Sequence, residues 1–288
     1  EVADRLADRL SDIRREFPFA LDLGCHAGVM ADVLAGRGHI QTMVECDLSE
    51  KMVRGVSGLR VVADEEKQPF ASHSFDLVLS SGSLHWVNDL PGVMIQARTS
   101  LRSDGLFLTN FFGGETLKEL RYSLLEAESE IEGGVGPRVS PFADVRDAGA
   151  LLQRTGFALP VADSEILTIS YESPLNLLHD LRGMGEVNAV AGRRKFFTRR
   201  RTIFRACDIY FEKYGDNFGR IPATFEIITL TGWAPAPNQQ RPAKIGSGEV
   251  SLTEVFNNKL RLEANAFNLE AKVAKEAEES SEREAREK

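Results

Sequence analysis

The rhythm of the first 112 residues confines this chain to one fold class. Short apolar runs, "FALDLG", "IQTMVECD", "LRVVAD", "SFDLVLSS" and "GLFLTNFF", read as strands. Between them "VMADVLAGRG" and "SEKMVRGV" read as helices, the second with Ser49 as its N-cap, and "LPGVMIQARTSLRSDG" as a helix and turn. Runs with little polar alternation are buried on both faces, and strands separated by helices run parallel. The pattern predicts an α/β protein with a parallel sheet, whose ligands sit at the carboxyl ends of the strands. Ahead of it, Val2, Leu6, Leu10 and Ile13 share one helical face, and the helix is predicted to end at Pro18.

After residue 112 the alternation breaks. Residues 113–145 are punctuated by Gly and Pro around one helix, and residues 174–214 are a second, mostly helical insertion. "DVRDAGALLQRTGF" reads as a helix, and "SEILTISY" and "ATFEIITLTGW" as two late strands, which predicts seven strands in all. The two insertions are expected to form a helical cap. Residues 1–256 are read as one domain, and residues 257–288, rich in Ala, Glu, Lys and Arg, as a charged tail, helical or disordered.

A formal net charge of −8 argues against general nucleic-acid binding, which needs Lys and Arg against phosphates. Three cysteines, Cys25, Cys46 and Cys207, are too scattered for a disulfide framework and contain no CxxC pair for zinc. No apolar run approaches the ~18 residues of a membrane span.

The loop "LDLGCHAG", residues 21–28, ends the first strand in a glycine-rich turn. A dinucleotide fingerprint, G-x-G-x-x-G counted from Gly24, requires glycine where the chain has His26 and Val29. The spacing of Asp22, Gly24 and Gly28 instead resembles motif I of the class I S-adenosylmethionine-dependent methyltransferases. That cofactor has no pyrophosphate; it needs a close backbone, and an acid for its ammonium group. Asp47 ends the second strand, where a carboxylate can take both ribose hydroxyls. Asp64 and Glu65, in "ADEEKQPF", follow the third strand and resemble the family's adenine-side acid. The resemblance implies S-adenosylmethionine as cofactor on a class I (Rossmann-like) fold with a seven-stranded, mostly parallel sheet. Its site would comprise Asp22, Gly24, Cys25, His26, Gly28, Asp47, Leu48, Met52, Asp64, Glu65 and Ser80.

Six later stretches narrow the match: "DLVLSSGSLHWVNDLPGVM", "FFGGETLKELR", "AESEIEGG", "PRVSPFADVRDAGALLQRTGF", "DLRGMGEVNA" and "IPATFEIITLTGW". Together they resemble the mitochondrial complex I assembly factor 5 family and its bacterial relatives. The resemblance implies an enzyme that modifies a protein, a respiratory complex I subunit, by hydroxylating an arginine or transferring a methyl group. It also implies a mitochondrial matrix or bacterial cytoplasmic setting, possible attachment at the periphery of the inner membrane included. Two alternatives stay open: a methyltransferase acting on malonyl-acyl carrier protein, and a non-catalytic assembly chaperone that keeps the cofactor as a structural ligand.

Methyl transfer from a sulfonium requires alignment more than a catalytic group. The candidates for chemistry or substrate contact are His85 and Trp86 after the fourth strand, and Glu115 and Arg138 past the fifth. Each has a plainer reading: packing or capping for His85, a lid or core aromatic for Trp86, a helix-dipole acid for Glu115. None of the five histidines stands in an H-x-D or H-x-E pair, so no metal site is expected. The dense basic segment "GRRKFFTRRR", residues 192–201, is either a solvated helix face or a docking surface for an acidic protein partner.

Overall fold

Strands β1 (Phe17–Leu23), β2 (Ile40–Asp47), β3 (Leu59–Val62), β4 (Phe75–Ser81) and β5 (Leu101–Phe112) lie parallel in the order β3-β2-β1-β4-β5 in the computed structural model. The structure describes residues 1–239 and, beyond them, 246, 247, 251 and 253; the tail expected at 257–288 lies outside the described residues. β6 (Ala158–Tyr171) and β7 (Ile221–Trp233) complete a seven-stranded sheet, β3-β2-β1-β4-β5-β7-β6, with β7 antiparallel to both of its neighbours.

The strand order reverses at β1 and β4. Their carboxyl ends therefore splay apart and leave a crevice where a ligand can reach backbone. Side-chain alternation supplies two faces. Leu21, Leu23, Val44, Cys46, Val78 and Phe107 pack on one side under α4 (Leu90–Ser100) and α6 (Val145–Arg154). Ala20, Leu77, Leu79, Leu106 and Leu108 pack on the other under α1 (Val2–Ser11) and α2 (Val29–Val33). Burying both faces is what makes the central strands read as unbroken apolar runs.

Two local expectations change. The first helix stops at Ser11, and Pro18 sits inside β1 rather than ending α1. β1 pairs with β2 at Phe17 and again from Phe19 but not at Pro18, so the missing N–H interrupts the ladder only near the start of the strand, where proline is tolerated. The turn expected before "GLFLTNFF" is drawn into β5, which begins at Leu101 and carries a register shift opposite Phe75 and Leu77. The short helix α3 (Glu50–Val53) starts as expected, with Ser49 Oγ accepting from the Met52 N–H at 3.5 Å.

Residues of the two insertions supply α5 (Lys118–Glu132), α7 (Pro174–Gly183) and α8 (Arg200–Tyr214). These bury a third cluster, including Leu120, Leu177, Ile209 and Tyr210, against Ala223 and Phe225 of β7. The cap thus has a core of its own, placed beyond the carboxyl ends of β4 and β5.

Candidate functional site

The loop after β1 is built around two left-handed turns. Gly24 has φ +75° and Gly28 +84°. A β-carbon at Gly24 would collide with the Ser83 side chain, and one at Gly28 would lie 2.9 Å from Glu45 Oε1. His26, where the second glycine of motif I would stand, adopts φ +50°, the glycine-like conformation with a side chain attached. Its imidazole points partly to solvent, with Nδ1 4.0 Å from Asp47 Oδ2. The loop therefore keeps the motif's backbone at the cost of strain. His26→Gly should raise the unfolding free energy by up to about 1 kcal/mol while leaving ligand affinity within twofold, as read by chemical denaturation and titration.

Asp47 holds the two loops together. Its Oδ2 accepts from the His26 N–H at 2.9 Å and its Oδ1 from the Ser49 N–H at 2.7 Å. Each oxygen keeps a lone pair for a further donor. Leu48 and Met52, immediately after it, are large apolar side chains left exposed, the usual wall of an aromatic ligand. Asp64 Oδ1 caps its own turn, accepting from the Glu66 N–H at 2.9 Å. Glu65 reaches inward: its Oε1 accepts from Ser83 Oγ at 3.3 Å and faces Gly24.

Beneath the loop lies a set of carboxylates without a counter-charge. Asp22 is fully buried, and neither of its oxygens has a hydrogen-bond partner. It stands in register with Glu45 on β2, whose Oε1 is also unpartnered. Burial, then the nearby Glu45 and Asp47, push the Asp22 carboxyl up to about 8. Burial also raises Glu45 and Glu65 above the ordinary range. Burial pushes the Cys25 thiol far up and the Cys46 thiol up to about 12, so neither is a thiolate nucleophile. Ser80 Oγ is likewise buried and unpartnered. No Lys or Arg among the described residues pairs with these acids, and His26 comes near only Asp47.

An orphaned acid cluster, two glycine-made backbone approaches and a bare apolar wall fit a cationic ligand that carries a planar ring. S-adenosylmethionine, with its ammonium and sulfonium charges, meets all three. A pyrophosphate would face acids where it needs N–H groups.

The turn Leu84–Trp86 links this crevice to a second space. Ser83 touches the glycine loop, and two residues later His85 and Trp86 line a cavity of about 510 Å³ under the cap. Arg138 lines it too, so three of the four candidates from the sequence meet there. The Arg138 guanidinium is spent on Glu128 and donates to Thr198 Oγ1 at 2.7 Å. Glu115 lies apart from the other three. It does not line the cavity but faces solvent, ion-paired with Lys118 at 3.0 Å, because its N–H is drawn to Glu226 and fixes the turn outward. Glu186, which follows α7, was not among the candidates; its Oε1 accepts from His85 Nε2 at 3.0 Å and from Trp86 Nε1 at 3.3 Å. Among the described residues no group of three or more His, Cys, Asp or Glu is arranged to hold a metal ion.

The family model described as "Methyltransferase domain" matches residues 21–109, the span from β1 through β5. The chain is 43% identical over 260 residues to the protein named arginine-hydroxylase NDUFAF5, mitochondrial, of Danio rerio, covering 88% of this chain and 80% of that one. Its human counterpart is 44% identical, over 88% of this chain and 75% of its own length. The chain belongs to the NDUFAF5 family. The malonyl-[acyl-carrier protein] O-methyltransferase of Gallionella capsiferriformans is a more distant relative, 31% identical over 84% of this chain and 85% of its own. Among solved structures, the YcgJ protein of Bacillus subtilis shares the fold, with TM-score 0.54 and 18% identity, covering 81% of this chain and 98% of that one. The fold of this family is that of the class I methyltransferases, and S-adenosylmethionine is the cofactor that goes with it.

Proposed function

We propose that the crevice at the ends of β1, β2 and β3 holds S-adenosylmethionine and that the chain uses it in modifying an arginine side chain on a protein of respiratory complex I during assembly. The observation that carries the cofactor assignment is Asp22, buried with both oxygens unpartnered beneath a glycine loop. In this reading Asp22 faces the ammonium, Gly24 and Gly28 admit the backbone of the methionine part, and Asp47 takes the ribose hydroxyls. Leu48, Met52 and Asp64 enclose the adenine, while Glu65, Ser80 and Ser83 border the methionine. Bound there, the cofactor supplies an electrophilic methyl group and a positive sulfur; the chain's own residues align it and exclude water.

Arginine as the modified residue rests on the names of the relatives, which cover most of this chain. The family resemblance adds complex I as the setting and the mitochondrial matrix, or the cytoplasm of a bacterium, as the compartment. No helix among the described residues is long and apolar enough to cross a membrane. Residues 192–201 supply a docking surface in this reading. The segment is mostly irregular chain before α8, and it exposes Arg193, Lys195 and Arg201 beside the bare rings of Phe196 and Phe197. Arg194 and Arg199 lean on Glu132, at 3.1 and 3.7 Å. An acidic protein face complements the remaining charge.

The test is to incubate the full chain and S-adenosylmethionine with complex I subunits and to map the products by mass spectrometry. The expected product is one arginine that gains an oxygen atom or a methyl group. Modification confined to a malonyl-acyl carrier protein would move the chain to the function of its distant relatives, and no modification of any subunit would favour the chaperone.

A further inference from the structure

We propose that the cap cavity is a receptor for a guanidinium group, with His85 and Glu186 as its acceptors. The proposal rests on the reading of the chain as an enzyme that acts on arginine, and it assigns the place where that side chain binds.

The hydrogen bonds fix the chemistry of the two groups. His85 and Trp86 both donate to Glu186 Oε1, so a neutral His85 ring carries its proton on Nε2 and a lone pair on Nδ1. That Nδ1 is buried without a partner, and the His85 side chain is 4% exposed. Glu186 Oε2 receives no hydrogen bond from the described residues. Two residues that line the cavity thus hold one unused ring nitrogen and one unused carboxylate oxygen, acceptors both. A ligand that satisfies them must bring donors.

The cations at the cavity do not supply those donors. Arg138 is held by Glu128 and Thr198, and Arg182 is exposed at the mouth. A guanidinium has five N–H donors, no acceptor and a flat face that stacks on aromatic rings. Trp86 and Phe142 provide such rings, and Leu120 and Leu181 provide apolar walls for the three-carbon stem. A carboxylate ligand would instead meet Glu186 and the Nδ1 lone pair with its own lone pairs. The position suits the chemistry as well: His85 lies two residues from Ser83, which touches the cofactor loop.

The experiment is calorimetric titration of the full chain with N-acetyl-arginine amide, beside N-acetyl-lysine amide, N-acetyl-citrulline amide and malonate monoamide. The arginine compound should bind in the millimolar range and at least tenfold tighter than the other three. Glu186→Gln keeps an oxygen for His85 and Trp86, so it should melt like the parent and bind S-adenosylmethionine equally well, yet lose the arginine compound at least tenfold. No binding of the arginine compound, equal binding by the variant, or a preference for malonate monoamide would overturn the receptor. The two readings fail separately. Glu186-dependent arginine binding without any modified complex I subunit leaves the receptor standing and removes the activity.

Discussion

Asp47→Ala should weaken S-adenosylmethionine binding by at least a hundredfold, the largest single effect expected at this site. Two charge-assisted hydrogen bonds to ribose hydroxyls are lost together, each worth ~1.5–3 kcal/mol, against ~1.4 kcal/mol per factor of ten. A second loss adds to the first. Asp47 accepts from the His26 and Ser49 N–H groups, so its removal loosens both loops that shape the crevice. Asp47→Asn separates the two contributions. Its single carbonyl oxygen can serve only part of these donors, and its affinity should fall between parent and alanine variant. Isothermal titration of the three proteins, with a thermal melt of each to confirm folding, checks the order.

The second large effect is on stability and has a defined pH dependence. Asp22 has an ordinary carboxyl value when unfolded and one of about 8 when folded, because its charge is buried near Glu45 and Asp47. Between about pH 4 and pH 8 the folded state holds a proton that the unfolded state has released. Stability therefore falls as pH rises through that window, and the penalty is complete above pH 8. Asp22→Asn removes the charge and keeps the shape. Without cofactor the variant should melt at nearly the parent's temperature at pH 4 and on the order of 5 °C above it at pH 8. The same substitution should abolish tight cofactor binding, since it deletes the partner of the ammonium. In the parent, binding at pH 7 requires Asp22 to ionise and should release close to one proton. Titrations of the parent in two buffers of different ionisation enthalpy would show that release. A variant less stable than its parent at pH 8 would mean that Asp22 is held charged by a partner.

Local patterns carried most of the fold. The apolar runs located β1, β2, β4 and β5 because central parallel strands tolerate almost no polar residue on either face, whereas β6 is a largely exposed antiparallel edge strand that begins at Ala158, ahead of the run that marked it. Pro18 misled because its rule, that proline ends a helix, is local, whereas its tolerance in β1 depends on how β2 pairs on either side of it. The cofactor crevice was legible for a similar reason. Asp22, Gly24, Gly28 and Asp47 each end a strand or shape a turn, so their places follow from position along the chain. His26 could not be judged from composition alone; its left-handed backbone shows that the loop geometry was kept without the glycine. Glu45 left a faint trace, an acid inside an otherwise apolar strand, that becomes meaningful only in register with Asp22. Glu186 left none that points to His85, which lies on a different element about a hundred residues earlier and meets it only because the cap folds back. Glu115 shows the converse. A local argument placed it near a substrate, and a long-range bond to Glu226 turned it outward.

An uncompensated acid cluster beneath a glycine loop is a seat for a cationic cofactor. Calorimetric titration of the full chain with S-adenosylmethionine, and with NADH under the same conditions, tests it most directly. Micromolar binding of S-adenosylmethionine, proton release at pH 7 and no heat from NADH is the predicted result. Binding of NADH, or no binding of S-adenosylmethionine by a chain that melts cooperatively, would contradict it.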